Sequence, residues 1–201
     1  METRTVPSRR EQLVRRGLRL EYTTLLWNVI EIGFLVVAAV HARSVALAGF
    51  AADSFIEIFA SVVVIWQLKG TAVEHDDRRA LRMIGVAFFL LAIYIVIQAL
   101  VTIALGVRPD SSPLGIAWLA ATCIVMFTLA AGKARTGREL GNPVLSAEAK
   151  VTLVDGALAA GILVGLTLNA ALGWWWADIA AGAILVIYGV REGREHLRHA
   201  G

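Results

Sequence analysis

Charge is scarce in this chain. Only 17% of its 201 residues are charged, 58% are hydrophobic, and the mean hydropathy is +0.69. Soluble domains carry about 25% charged and about 45–50% apolar residues, so the composition departs from theirs on both counts. Cysteine is nearly missing. The single Cys123 excludes an intramolecular disulfide and a cysteine-rich zinc site. Histidine is confined to predicted loops and the tail, as His41, His75, His196 and His199, so imidazole is no ligand in the middle of a span. No cluster of Lys and Arg lies on an otherwise polar surface, which argues against a nucleic-acid partner. No small-residue cleavage site follows a short apolar core near the N-terminus, so no cleaved signal peptide is expected.

What is abundant is long apolar runs. Six of them are read as transmembrane helices, at about 22–42, 44–68, 83–106, 114–131, 146–172 and 177–190. Before them lies a basic arm over 1–21, whose residues 9–21 suit a surface helix; after them comes a short tail over 191–201. The connections are a tight turn with Arg43, a charged stretch over 69–82, a Pro109–Pro113 turn, a basic glycine-rich loop over 132–143, and a turn holding Trp174, Trp175 and Trp176. The expected fold is therefore an all-α polytopic membrane protein with a six-helix domain over 22–190.

Placement of charge orients the bundle. The arm, the second and fourth loops and the tail hold 17 of the 19 Lys and Arg, counting Lys150. That alternation puts both termini in the cytoplasm by the positive-inside rule, in the inner or plasma membrane. The three tryptophans at the opposite end suit an interfacial aromatic belt, or equally plain helix packing. Gly161 and Gly165, and the small residues over 180–183, permit close helix approach in lipid and are read as structural.

Against this apolar background stand four acids well inside predicted spans: Glu31, Asp53, Glu57 and Asp155. Asp53 and Glu57 are one helical turn apart and project from one face. From the predicted topology all four lie roughly 13–20 Å deep, at the level of the midplane. An acid there costs ~2.5–3.5 kcal/mol on insertion scales. One such acid is as readily a structural hydrogen-bonding residue as a functional one. Four at one depth, with no Lys or Arg expected at that level, point to a shared polar centre formed by helices one, two and five. Neighbouring carboxyls in such a medium hold protons when empty, and a divalent cation displaces them on binding. That is metal–proton exchange.

Other polar groups flank the centre. Asn28 shares the face of Glu31 and is a candidate additional ligand, while Glu148, two turns before Asp155, marks a candidate cytoplasmic access route. Ser61 and Thr152 are expected to bond their own helix backbones, and Lys150 to snorkel to headgroups.

These residues resemble the cation diffusion facilitator (cation efflux) family of six-helix metal transporters. Ser44, Ala46, Leu47, Asp53, Ser54 and Glu57 fall in the register of that family's second helix, which pairs a His or Asp with an Asp four residues on. Asp155 matches half of the corresponding pair on helix five, where Val151 takes the other ligand's place; Trp175, Trp176 and Asp178 resemble the start of its sixth helix, with Ile179 for proline. The resemblance implies a divergent member. Glu57 is one methylene longer than the usual Asp, Glu31 is the candidate for the ligand missing at Val151, and the family's cytoplasmic metal-binding and dimerising domain has no counterpart after Arg191.

The reading is a non-enzymatic carrier that exports a divalent cation against protons by alternating access. Asp53, Glu57, Asp155 and Glu31 are its metal ligands. No cofactor is bound permanently. The partners are the bilayer, protons, a cation of the Mn, Fe, Zn or Co class, and a second copy in a homodimer; an oxygen-only site shifts preference from Zn²⁺ towards harder ions. Two rivals are kept. One is a degenerate, non-transporting membrane protein with structural acids. The other is an intramembrane aspartyl protease using Asp53 and Asp155, whose Gly-x-Gly-Asp motif is lacking here.

Overall fold

The computed structural model describes residues 8–42, 45–70, 74–106, 113–172 and 177–199. They form six α-helices: α1 (Arg9–Ala42), α2 (Val45–Lys69), α3 (Glu74–Leu105), α4 (Pro113–Leu140), α5 (Pro143–Leu172) and α6 (Ala177–His199). Arg43, Ser44, the turn over 107–112 and the tryptophans over 174–176 lie outside the described residues, as do the side chains of Ala46, Leu47, Asp178, Ile179 and the four histidines.

The helices run longer than the apolar spans that suggest them. α1 has 34 residues, about 50 Å at 1.5 Å each, against a hydrocarbon core of ~30 Å. Its start is set by a capping box. The Ser8 hydroxyl accepts from the Glu11 amide (3.3 Å) and the Glu11 carboxylate from the Ser8 amide (3.2 Å). The predicted loop over 132–143 is largely helix, because α4 continues to Leu140. It ends in a Schellman turn, with Gly141 at φ +63°, the Asn142 amide on the Gly137 carbonyl and the Gly141 amide on that of Arg138. Asn142 then caps α5 through its side chain on the Leu145 amide (2.9 Å), with Pro143 at the first helical position. Likewise α3 begins at Glu74 inside the predicted charged connection, and α6 runs through most of the predicted tail.

Among the described residues, Arg9–Val37, Asp77–Leu105 and Gly115–Leu140 are long and apolar enough to cross a membrane. The bundle is built from the pairs α4–α5, α3–α6 and α1–α2, with α2 and α5 packed on each other between them. Unlike a soluble domain, it carries large apolar side chains on its outside and polar ones among those inside. Leu26, Val29, Phe55, Ile97, Ile124 and Ile187 face outward, while the seam of α1 that faces inward reads Gly17, Glu21, Thr24, Asn28, Glu31, Leu35. Those intervals of three and four residues keep one face turned to neighbouring helices.

Glycine sets two of the close approaches. A Cβ on Gly137 of α4 would lie 2.5 Å from the Ser146 hydroxyl and 2.9 Å from its backbone nitrogen on α5. On Gly85 of α3 it would meet the Gly193 carbonyl of α6 at 3.3 Å. In lipid, where apolar side chains gain nothing by leaving the solvent, such contact is what binds helices. Gly137→Ala is therefore expected to cost ~1–3 kcal/mol by overpacking. Thermal unfolding of the detergent-solubilised chain should show a lower melting temperature for it and none for Gly33→Ala, where no atom lies within 4 Å.

Candidate functional site

The inward faces of α1, α2, α4 and α5 carry two layers of buried polar side chains. The first is centred on Asp53 of α2 and Asp155 of α5, only 2% and 1% exposed. Their carboxyls approach each other at hydrogen-bonding range. Neither oxygen of Asp155 meets a donor among the described residues, nor does Oδ2 of Asp53. Two carboxyls in contact share only acceptors, so the pair is stable only with a proton or a cation between them. Tyr94 of α3 lies within electrostatic range of both.

Glu31 of α1 borders this layer, close enough to act on both aspartates through its charge. Its own oxygens are well supplied. Oε1 accepts from the Thr122 hydroxyl (2.6 Å) and the Trp118 indole (3.1 Å), and Oε2 from the Ser54 hydroxyl (3.2 Å). Trp118 stacks between Trp27 and Phe34, at 5.2 and 4.3 Å between ring centroids, which fixes the donor. Every one of these donors is neutral. Asn28, one turn away, donates to the Thr24 carbonyl (2.9 Å), and its own side-chain oxygen is buried without a partner.

The second layer surrounds Lys133 of α4, which is fully buried. Its Nζ lies 2.6 Å from Glu148, 3.2 Å from Glu21 and 3.9 Å from Glu57. The ammonium also donates to the Thr152 hydroxyl (2.9 Å), which in turn donates to Glu57 Oε1 (2.6 Å). Ser61 donates to Glu148 (3.3 Å). Thus Ser61 and Thr152 bond across helices and not to their own backbones as expected; in a water-free interior a neighbouring carboxylate outcompetes a carbonyl already used by its helix. Glu148, expected along an access route, is an ion-pair partner. Lys150 pairs with Glu192 of α6 (2.5 Å) instead of reaching towards headgroups.

Glu57 is the hinge between the layers. It acts electrostatically on Asp155 and shares a hydrogen bond with Thr152, while its Oε2 has no partner. The sequence-predicted residues thus share one interior, but no three of the described acids are placed as a ready-made metal shell. Val151 is packed in the apolar core.

Comparison with known proteins bears on the family to which the chain belongs. The profile of the cation efflux transmembrane domain matches residues 82–201. The chain belongs to the cation efflux family. Like other cation efflux proteins it is a multi-pass membrane protein of a transporter family and not an enzyme, which removes the protease reading. Transmembrane protein 163 of Xenopus laevis is 25% identical to it over 199 residues, which cover 94% of this chain and 70% of that protein. The profile match takes in Lys133, Glu148, Thr152 and Asp155, and begins beyond α2, the helix on which the sequence resemblance rests most.

Lys133, Glu21, Thr122 and Tyr94 escaped the sequence reading, which also expected no basic residue beside the acids. The glycines around Lys133 make its stretch read as a loop. Its signal was periodic: Thr122, Met126, Leu129, Lys133 and Thr136 all lie on the buried stripe of α4. Glu21 likewise extends the Asn28–Glu31 stripe of α1.

The Thr122–Glu31 hydrogen bond provides a check on this geometry. Thr122→Val should cost ~1–3 kcal/mol, the loss of the shorter of the two hydrogen bonds to Glu31 Oε1 in the interior. A double-mutant cycle with Glu31→Gln, read by thermal unfolding, should be strongly non-additive. Additive effects would contradict the contact.

Proposed function

We propose that this cation efflux protein exchanges a divalent cation for protons at the Asp53–Asp155 pair, with Glu57 and Glu31 completing the shell, and moves the cation outward by alternating access. One observation carries the reading: of two buried carboxyls that face each other across α2 and α5, both oxygens of Asp155 and Oδ2 of Asp53 meet no donor among the described residues. Protons satisfy the empty pair. A divalent cation replaces them, so the buried charge changes little between the loaded and empty forms. Alternation between these occupants is what an antiporter needs.

The ligand set is all oxygen, which suits Mn²⁺ and Fe²⁺ and admits Co²⁺ and Zn²⁺. Glu31 is the candidate for the fourth position because its oxygens are held by neutral hydroxyl and indole donors, which orient a carboxylate without cancelling its charge. Closure of α1 and α5 onto α2 would draw the acids into a shell. The basic end of the bundle, where Arg9 and Arg135 meet Glu139, is the cytoplasmic face in this reading.

Reconstituted proteoliposomes test it. With an imposed pH gradient, Mn²⁺ flux is expected from the wild type and only background flux from Asp53→Asn or Asp155→Asn. Glu31→Gln should keep flux and weaken apparent affinity about 10–100-fold. Absence of flux with Mn²⁺, Fe²⁺, Co²⁺ and Zn²⁺ from monodisperse protein would favour the structural reading of the acids. That rival has Val151 on its side, since a carbon side chain stands where the resemblance would put the first ligand of the helix-five pair.

A further inference from the structure

The amine of Lys133 sits among Glu21, Glu57 and Glu148, with every one of the four side chains 2% exposed or less. Four helices contribute, α1, α2, α4 and α5, so the layer crosses the interior between the Asp53–Asp155 pair and the end of the bundle where α4 turns into α5. An unpaired carboxylate in such a place is very costly. Lys133 is the one buried basic side chain among the described residues, and it serves all three acids.

Its grip on them is unequal. Glu148 and Glu21 are held at 2.6 and 3.2 Å, whereas Glu57 is 3.9 Å away and reached chiefly through the Thr152 hydroxyl. Unpartnered oxygens do not separate the three acids, since Glu21, Glu57 and Glu148 each keep at least one without a hydrogen bond, so the distance to the ammonium sets Glu57 apart. It is the carboxylate most easily withdrawn, and it borders the aspartate pair.

We propose that Lys133 is a tethered resident cation that competes with the transported cation for Glu57. In the empty carrier the ammonium and Thr152 hold Glu57 in the second layer. When a divalent cation settles at Asp53 and Asp155, Glu57 turns to it, and Lys133 stays behind on Glu148 and Glu21. The ammonium thereby weakens cation binding, favours release, and keeps Glu57 compensated while the site is empty. Lys133 is a positioning residue in this account, since it acts on the cargo through Glu57. The proposal rests on the carboxylate reading above for the place of the cargo.

Mn²⁺ binding to the full chain in detergent micelles, measured by calorimetry, provides the test. Lys133→Met removes the competing charge and should tighten Mn²⁺ binding about tenfold or more. Adding Glu57→Gln should abolish that gain. Should Lys133→Met alone fail to fold, Lys133→Met combined with Glu148→Gln removes one charge of each sign and should show the same gain, again dependent on Glu57. Unchanged or weaker affinity in the folded variants, or a gain that survives Glu57→Gln, would overturn the proposal. Asp53→Asn separates the two readings. If it leaves wild-type binding intact, the aspartate site is wrong, while a Glu57-dependent gain in Lys133→Met still supports a resident cation.

Discussion

Carboxylates buried among hydrocarbon side chains are the constraint on which this structure turns. Glu21, Glu31, Asp53, Glu57, Glu148 and Asp155 are all nearly or fully hidden from solvent. Stripping an ion of water costs several kcal/mol even after relaxation, so each must find a partner or give up its charge. The chain meets this in three ways. Glu31 takes three neutral donors, the second layer takes the Lys133 ammonium, and Asp53 and Asp155 take each other. The third arrangement alone has neither a basic residue nor a hydroxyl donor among the described hydrogen bonds, and it is on this difference that the proposed exchange of ions at the aspartate pair rests.

The packing follows from the same constraint. Apolar side chains fill much of the interior beside the polar seams, but lipid offers little gain from burying them. Close contact at Gly137 against Ser146 and at Gly85 against Gly193 supplies the attraction. Cross-helix hydrogen bonds, such as Ser61 to Glu148 and Thr152 to Glu57, fix the relative height of the helices. Sliding α5 by one turn would part Thr152 from Glu57 and Asp155 from Asp53 together.

Much of the fold was legible because the bilayer imposes a length on apolar runs, and six such runs match six helices in order. The acids were legible for the complementary reason: Asp53, Glu57, Asp155 and Glu31 lie well inside runs whose middles otherwise carry no charge. Helix ends were not, since hydropathy marks where the membrane stops and hydrogen bonding carries a helix further. Glycine misled at 132–141, where Gly137 permits helix contact and only Gly141 terminates one. That error hid Lys133. The partition of the acids into two layers depends on which helices touch, as with Glu148 of α5 meeting Lys133 of α4, and no spacing within one helix encodes that.

The central claim is that the Asp53–Asp155 pair holds protons which a divalent cation displaces. Calorimetric titration of Mn²⁺ into the full chain, repeated at one pH in buffers of different ionisation enthalpy, gives the protons released per ion bound. The account predicts net proton release in the wild type, diminished or lost with Asp155→Asn. Binding that releases no protons, or release that is the same in the wild type and in Asp155→Asn, would contradict it.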